Sequence, residues 1–221
     1  MREGALQHTR EVSRLDLQRF AATPLSHDPF DHVIVPGFVR AEACAAIDAA
    51  FPRIDVGGSF PAAAFDCGTA FANFLEDLQG PEVTRAFEAK FGIDLTGRPT
   101  MVTLRGQSRA KDGRIHADTS SKLITALIYM NADWEAEGGR LRLLRGPDDI
   151  DDYVAEVPPE RGTLLAFRCV PHAYHGHKPF VGMRRSIQLN WVTGEAVLRR
   201  ELARHGLSAW TKRLFRFGAA G

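Results

Sequence analysis

The chain has 221 residues, 44% of them hydrophobic, and its 28 lysines and arginines nearly balance its 27 aspartates and glutamates. This length favours one hydrophobic core with peripheral helices over two domains. The near-neutral charge argues against a nucleic-acid partner, and a transmembrane helix is excluded because no run of about 18 apolar residues occurs.

The first residues, MREGALQHTREVSRLDLQRF, alternate charged and apolar side chains and contain no apolar segment typical of a secretion signal. The three cysteines, Cys44, Cys67 and Cys169, are odd in number and widely spaced. This usage suits reduced thiols rather than a disulfide framework. Together these features predict a cytoplasmic protein.

The first third of the chain is predicted to be mostly helical. Its expected helices are Ala41–Phe51, Thr69–Leu78 and Glu82–Phe91. The third helix follows Pro81, a favoured first-turn residue, and ends at Gly92. One segment differs, because HVIVPGF has the pattern of a short strand that ends at a Pro-Gly pair.

From about Pro99 the sequence consists of short β-branched or alternating runs separated by turn residues. These runs are TMVTLR, KLITALIYMN, GRLRLL, YVAEV, GTLLAF and RRSIQLNWV. Strands without intervening helices indicate a sandwich or jelly roll rather than βαβ units. Arg140, Arg142 and Arg145 alternate with Leu141 and Leu143. This pattern predicts a sheet with one solvent-exposed face.

We therefore expect a mainly β fold with flanking helices, a double-stranded β-helix of the jelly-roll, cupin-like type. The chain is predicted to be one domain over residues 1–221. Residues 1–98 would form a mostly helical support, residues 99–192 the β-helix core, and residues 193–221 a helical tail.

A metal site is suggested by His116 and Asp118, which are two residues apart. On an extended segment this spacing directs both side chains to the same side. His175 is distant in sequence and supplies a third ligand, so the set matches the two-histidine, one-carboxylate triad of non-haem iron(II) sites. From the residues alone, neighbouring His172 or His177 could replace His175.

A second candidate site would be a zinc site made by Cys169 with the three histidines that follow it within nine residues. We consider it the weaker interpretation, because these ligands would crowd one turn and would leave His116 and Asp118 unexplained.

An anion-binding cation is suggested by Arg184, nine residues after His175. Strand periodicity places Arg184, Ser186 and Gln188 on one face and Arg185 on the other. The planar arginine fork can donate two parallel hydrogen bonds to a carboxylate. The alternative is an exposed Arg184-Arg185 pair at a strand edge.

The ordered motifs resemble the 2-oxoglutarate/Fe(II)-dependent oxygenases, specifically their prolyl 4-hydroxylase-like branch. The resemblance covers roughly Met101 to Trp191. Its matching pieces are His116-Ala117-Asp118, Tyr129-Met130-Asn131, Trp134, Gly138-Gly139, Gly162 to Phe167, His175 through Pro179, Arg184-Arg185-Ser186 and Trp191. Only His175 has a proline four residues later and an arginine nine residues later, which favours it over its neighbours.

The resemblance implies an enzyme, a dioxygenase that hydroxylates an unactivated C–H bond and releases succinate and carbon dioxide. It implies that His116, Asp118 and His175 are the catalytic iron ligands. Fe(II), 2-oxoglutarate and O2 would be required, with ascorbate as an additional reductant. Arg184, Tyr129 and Ser186 would bind the co-substrate. The substrate would be a small biosynthetic metabolite or a prolyl or other peptidyl residue.

Several alternatives stay open at this point. Arg185 could anchor 2-oxoglutarate instead of Arg184. Arg105 stands where oxygen-sensing relatives have a tyrosine, and it could contact 2-oxoglutarate, contact an acidic substrate or be a solvated strand-end residue. The acidic stretch 146–152 is expected to be a solvated loop. The basic tail SAWTKRLFRF is expected to pack on the barrel, with a membrane-surface contact as a weaker alternative. A non-catalytic, cupin-like metal and ligand-binding or sensing protein is the competing function.

Overall fold

The structure is a computed structural model that describes residues 13–203. The expectations for the first 12 residues and for the basic tail SAWTKRLFRF lie outside the described residues. The two predicted boundaries between support, core and tail stay predictions.

Four α-helices precede the main strands within the described residues: α1 Leu17–Ala22, α2 Ala41–Ala49, α3 Thr69–Leu78 and α4 Pro81–Phe91. Pro81 is the first residue of α4, where its missing N–H removes no helical hydrogen bond. Gly92 ends α4 in the left-handed conformation at φ 60°, which glycine adopts without a steric penalty. Residues 195–203 are also helical. No helix in the described part of the chain is both long and apolar enough to cross a membrane.

Nine strands occur in the described residues: β1 His32–Val35, β2 Phe60–Pro61, β3 Thr100–Ser108, β4 Lys122–Tyr129, β5 Leu141–Leu144, β6 Tyr153–Val157, β7 Leu164–Arg168, β8 His175–Gly176 and β9 Gly182–Val192. The larger sheet has the order β1-β7-β4-β9-β3-β2, and the smaller sheet has the order β6-β5-β8. All the pairings between these strands are antiparallel. This architecture confirms the predicted mainly β fold with flanking helices and a jelly-roll core.

The two faces of the larger sheet have different partners. On β9, Ile187, Leu189 and Trp191 belong to the core beneath the helices, where Trp191 lies 4.8 Å from Phe87 of α4 between ring centroids. Burying a large apolar side chain of this kind contributes about 1.5–3 kcal/mol. The alternate β9 residues, including Ser186, point toward the smaller sheet because successive side chains of a strand point to opposite faces. The site is built on that inner face.

The outer face of β5 carries Arg142, as the alternation with Leu141 and Leu143 predicts, but this side chain is not solvent-exposed. Arg142 is only 8% exposed and lies opposite Glu156 in the β5–β6 register. Its Nε donates to a Glu156 carboxylate oxygen at 2.5 Å, and it also pairs with Asp151. Leu141 and Leu143 belong to the inner cluster between the sheets, so Arg142 lies on the outer face of β5, where its acidic partners and the Tyr153 ring cover it. Asp151, within the acidic stretch, also pairs with Lys178 at 2.7 Å, but residues 146–152 are mostly exposed, as predicted for a solvated loop.

Candidate metal centre and co-substrate cavity

The three predicted ligands lie together at one end of the space between the sheets. One candidate ligand atom from each of His116, Asp118 and His175 lies within 4.8 Å of the others. His116 and His175 face each other as an isolated antiparallel bridge, with mutual N–H to carbonyl hydrogen bonds of 3.0 and 2.9 Å. Directly opposed residues share a face, so the rings lie 4.3 Å apart between centroids.

Hydrogen bonds to the backbone orient both imidazoles. Nδ1 of His116 lies 2.9 Å from the carbonyl oxygen of Arg114, and Nδ1 of His175 lies 2.9 Å from that of Ala173. A carbonyl oxygen only accepts, so Nδ1 carries the proton in each ring and the lone pair of Nε2 is available to a metal. Burial, followed by the nearby His116, lowers the pKa of His175 to about 4, which keeps this ring neutral.

Asp118 is held by two donors from β4. Lys122 Nζ donates to one carboxylate oxygen at 2.8 Å, and Thr125 Oγ1 donates to the other at 2.5 Å. Burial alone would raise the pKa of Asp118, but Lys122, His175 and these hydrogen bonds hold it below its usual range. The carboxylate is therefore ionised, which is the form that binds a metal.

Thr125 is in turn held by Asn190. These residues lie opposite each other on β4 and β9, and Asn190 Nδ2 donates to Thr125 Oγ1 at 2.7 Å. Gln188 Nε2 donates to Asn190 Oδ1 at 2.9 Å. Lys122, Thr125 and Asn190 were not predicted from the sequence as members of the site. A signal was present, because Asn190 continues the polar face of Arg184, Ser186 and Gln188.

The alternative zinc site does not form. Within residues 13–203, the triad is the one group of three or more possible ligand side chains that lie close enough together. His172 is exposed, whereas His177 is buried and lines the cavity beside the triad. Burial, followed by the charge of Arg184, lowers the pKa of His177 to about 4, so His177 is a neutral wall residue.

A cavity of about 80 Å³ extends from the two triad histidines and is lined by Tyr129, Arg184 and Ser186. Arg184 Nε donates to the carbonyl oxygen of Gly139 at 2.7 Å. The buried Nη2 of Arg184 and the buried hydroxyl of Tyr129 have no hydrogen-bond partner among residues 13–203. Burial raises the pKa of Tyr129, so its hydroxyl stays protonated. Two unpaired buried donors are costly unless a ligand accepts from them, and a carboxylate is a suitable acceptor.

Arg185 points to the opposite face of β9. Its Nη1 pairs with Asp48 of α2 at 2.7 Å, and its guanidinium lies 5.4 Å from the Phe51 ring centroid. Its backbone is fixed by Asn131, whose side chain accepts from the Arg185 N–H at 2.7 Å and donates to its carbonyl at 3.0 Å. Of the two arginines, Arg184 is the one that lines the cavity.

The Gly138-Gly139 pair packs closely against Pro179 and Trp134. This packing positions the Gly139 carbonyl oxygen that accepts from Arg184. A Cβ on Gly138 would lie 2.2 Å from the Pro179 carbonyl oxygen. Gly139 has φ +80°, and a Cβ there would lie 2.7 Å from the Trp134 ring. The Trp134 indole N–H donates to the Gly138 carbonyl at 3.0 Å. These motif residues therefore shape the cavity wall rather than contacting a ligand.

A second cavity, of about 240 Å³, lies on the Asp118 side of the triad. Arg105, His116 and Gln188 line both cavities. The strand registers pair Tyr129 with Ser186 and Ser186 with Arg105, so these three residues form one row across β4, β9 and β3. Burial, followed by the charge of Arg184, lowers the pKa of Arg105. Within the described residues its guanidinium makes no hydrogen bond or ion pair.

Residues 106–193 match the family model described as the 2OG-Fe(II) oxygenase superfamily. This segment contains the triad, Tyr129 and Arg184. No curated protein matches the chain.

Similar folds occur among solved structures. A prolyl-4-hydroxylase from Pseudomonas putida has a TM-score of 0.55 at 18% identity, covering 80% of this chain and 90% of that one. A 2OG-Fe(II) oxygenase family oxidoreductase from Burkholderia pseudomallei has a TM-score of 0.53 at 15% identity, with coverages of 81% and 91%. The viral collagen prolyl hydroxylase of Paramecium Bursaria Chlorella virus-1 has a TM-score of 0.52 at 18% identity, with coverages of 74% and 96%.

The fold and the matched segment define an oxidoreductase domain of the class that uses Fe(II), 2-oxoglutarate and O2. Residues 106–193 thus resemble the 2OG-Fe(II) oxygenase superfamily in sequence, and the fold is similar to that of solved prolyl 4-hydroxylases.

Proposed function

We propose that the protein hydroxylates an unactivated C–H bond of a small molecule or a peptidyl residue, with release of succinate and carbon dioxide. His116 and His175 would bind Fe(II) through Nε2, and Asp118 would bind it through its carboxylate. Arg184 and Tyr129 would bind the distal carboxylate of 2-oxoglutarate, and Ser186 would line its site. Iron and 2-oxoglutarate, when bound, supply the oxygen activation: one O2 atom enters succinate and the other enters the substrate.

The observation that carries this proposal is the match between one cavity and the two ends of 2-oxoglutarate. At one end, two imidazoles whose Nδ1 atoms are bonded to backbone carbonyls face an ionised carboxylate. At the other end, Arg184 Nη2 and the Tyr129 hydroxyl are buried donors without acceptors. A structural role in the core would leave both donors unsatisfied, whereas a bound carboxylate would accept from both.

The protein's own residues support this arrangement in three ways. Lys122 and Thr125 fix the orientation of Asp118, as outer-shell partners do for other metal-binding carboxylates. His177 forms a neutral wall. Gly139 accepts from Arg184 Nε and so directs the remaining guanidinium donors into the cavity.

The test is anaerobic addition of Fe(II) and 2-oxoglutarate to the metal-free protein, followed by measurement of the visible charge-transfer band of the complex. We expect a band in the wild type, no band in His175→Ala, and an unchanged band in His172→Ala, the matched control from the same turn. Exposure to O2 should then yield succinate.

Absence of a band in the folded wild type, or a band that survives His175→Ala, would contradict the proposal. A normal band without succinate formation, across a broad panel of small molecules and peptides, would favour the non-catalytic binding or sensing protein.

A further inference from the structure

Arg105 is a cation without a partner beside the candidate metal centre. It is half-buried, and its guanidinium has no hydrogen bond or ion pair with any described residue. Asp112 interacts with Arg105 electrostatically, but its carboxylate is already engaged by Arg109, with N···O distances of 2.9 and 3.1 Å. A desolvated charge without a counter-charge is costly, and such groups concentrate at functional sites.

The proposed co-substrate does not supply the missing counter-charge. One carboxylate of 2-oxoglutarate is expected at the metal, and the other is expected at Arg184 and Tyr129. The charges of Fe(II) and Arg184 then balance those of 2-oxoglutarate and Asp118. Lys122 is paired with Asp118 at 2.8 Å, so Arg105 is the cation that remains unpaired within the described residues, and both cations line the second cavity.

The lining of the second cavity is suited to a small polar molecule. Hydroxyl groups of Ser59, Thr103 and Thr119 and the amide of Gln188 surround the two cations, and its one acidic lining residue is Asp118. Its volume of about 240 Å³ is below the roughly 300 Å³ at which pockets for drug-sized ligands begin. The cavity borders His116 and Asp118, so a molecule inside it would lie next to the metal position.

We infer that the substrate is a small anionic molecule and that Arg105 binds its carboxylate or phosphate group in the second cavity. This inference rests on the proposed function and specifies its substrate class. Arg105 is thereby a specificity-determining residue. The row Tyr129–Ser186–Arg105 spans β4, β9 and β3, with the co-substrate donor at one end and the substrate donor at the other.

The experiment uses the full chain with Fe(II) and saturating 2-oxoglutarate under anaerobic conditions. Matched probe pairs are then added: L-aspartate and L-asparagine, L-glutamate and L-glutamine, and D-glucose 6-phosphate and D-glucose. Binding is measured from the shift of the visible band and by calorimetry. The variants are Arg105→Gln and Arg105→Lys. The control is Arg85→Gln, which removes the same charge from an exposed position on α4.

We expect at least one anionic probe to bind and its neutral partner to bind at least about tenfold more weakly, the loss typical of a charged hydrogen bond. Carboxylate and phosphate probes distinguish the two oxyanion types. Arg105→Gln should weaken binding of the anionic probe by a similar factor, and Arg105→Lys should weaken it less. Arg85→Gln should leave the affinity for the probe unchanged. The 2-oxoglutarate requirement should be unchanged in Arg105→Gln.

Three results would overturn the inference while leaving the proposed function intact: no anionic probe binds, neutral and anionic partners bind equally, or Arg105→Gln raises the 2-oxoglutarate requirement as Arg184→Gln is expected to do. A peptide that binds the loaded protein independently of Arg105 would also overturn it. Failure of the wild type to form the band would instead overturn the proposed function itself.

Discussion

Replacing Arg184 by glutamine should weaken 2-oxoglutarate binding and leave the metal centre intact. Arg184 is 7% exposed, and its unpaired Nη2 faces the cavity that we assign to the co-substrate. Glutamine removes the charge and the donor but is too short to restore the contact. Fe(II) affinity should not change, because Arg184 contacts none of the three candidate ligands.

The expected size follows from the bonds that are lost. A hydrogen bond to a charged group contributes about 1.5–3 kcal/mol, and the loss of the cation adds to it. A total of about 2–4 kcal/mol corresponds to an increase of about 30- to 700-fold in the 2-oxoglutarate concentration that gives half of the visible band. The free energy of unfolding of the co-substrate-free protein should change by only about 1 kcal/mol. The variant loses the hydrogen bond to Gly139, which is destabilising, but it also loses a buried unpaired donor, which is stabilising.

Arg185→Gln is the matched control, since it removes the same charge from the next residue on the opposite face. Its pair with Asp48 is partly exposed, so its loss should cost at most about 1 kcal/mol of stability. The 2-oxoglutarate requirement should stay as in the wild type. Normal 2-oxoglutarate binding by Arg184→Gln, or a larger defect in Arg185→Gln, would contradict the assignment of Arg184 as the 2-oxoglutarate anchor.

The remaining predictions concern the cavity wall and the buried imidazole. Tyr129→Phe should raise the 2-oxoglutarate requirement about tenfold in the same titration. The stability of the free protein should not fall, because the Tyr129 hydroxyl has no hydrogen-bond partner among the described residues. An unchanged 2-oxoglutarate requirement would show that Tyr129 does not bind the co-substrate. Gly139→Ala should destabilise the fold by about 1–3 kcal/mol in urea unfolding and weaken 2-oxoglutarate binding, because of its φ of +80°. Gly146→Ala, where a Cβ would meet nothing, is its control. The metal-free protein should lose stability as the pH falls from about 6.5 to about 4, because burial lowers the pKa values of His175 and His177 from 6.5 to about 4 and only the unfolded chain takes up these protons in that window. His175 contributes at most about 3 kcal/mol of this loss, and that part should be absent in His175→Gln when unfolding is measured at several pH values.

The helices and long strands were predictable because their signals are local. α3 has the predicted bounds, Thr69–Leu78, and α4 differs only by including Pro81. The two-residue strands β2 and β8 were not predicted, since period-2 alternation cannot be recognised over two residues. The burial of Arg142 was not predicted because it depends on Glu156, a partner on another strand.

The centre of the candidate site was predicted from an ordered set of motifs, whereas its supporting contacts were not. His116, Asp118 and His175 lie together as expected. The contact between Asn190 and Thr125 exists only because the β4–β9 register places them opposite each other, and a one-residue slip would separate them. Register is a tertiary property, so no local pattern in either strand specifies this pair.

The same register also explains why Arg105 was ambiguous in the sequence and is informative in the structure. In the sequence it is a strand residue with several possible environments. In the fold it is opposite Ser186, which is opposite Tyr129, so one row of inner-face residues crosses three strands. Because Arg184 and Tyr129 already provide donors for one carboxylate, a second unpaired guanidinium in this row is surplus to the co-substrate. The geometry of the sheet therefore separates two anion-binding tasks, and substrate selectivity is the task that Arg105 can perform.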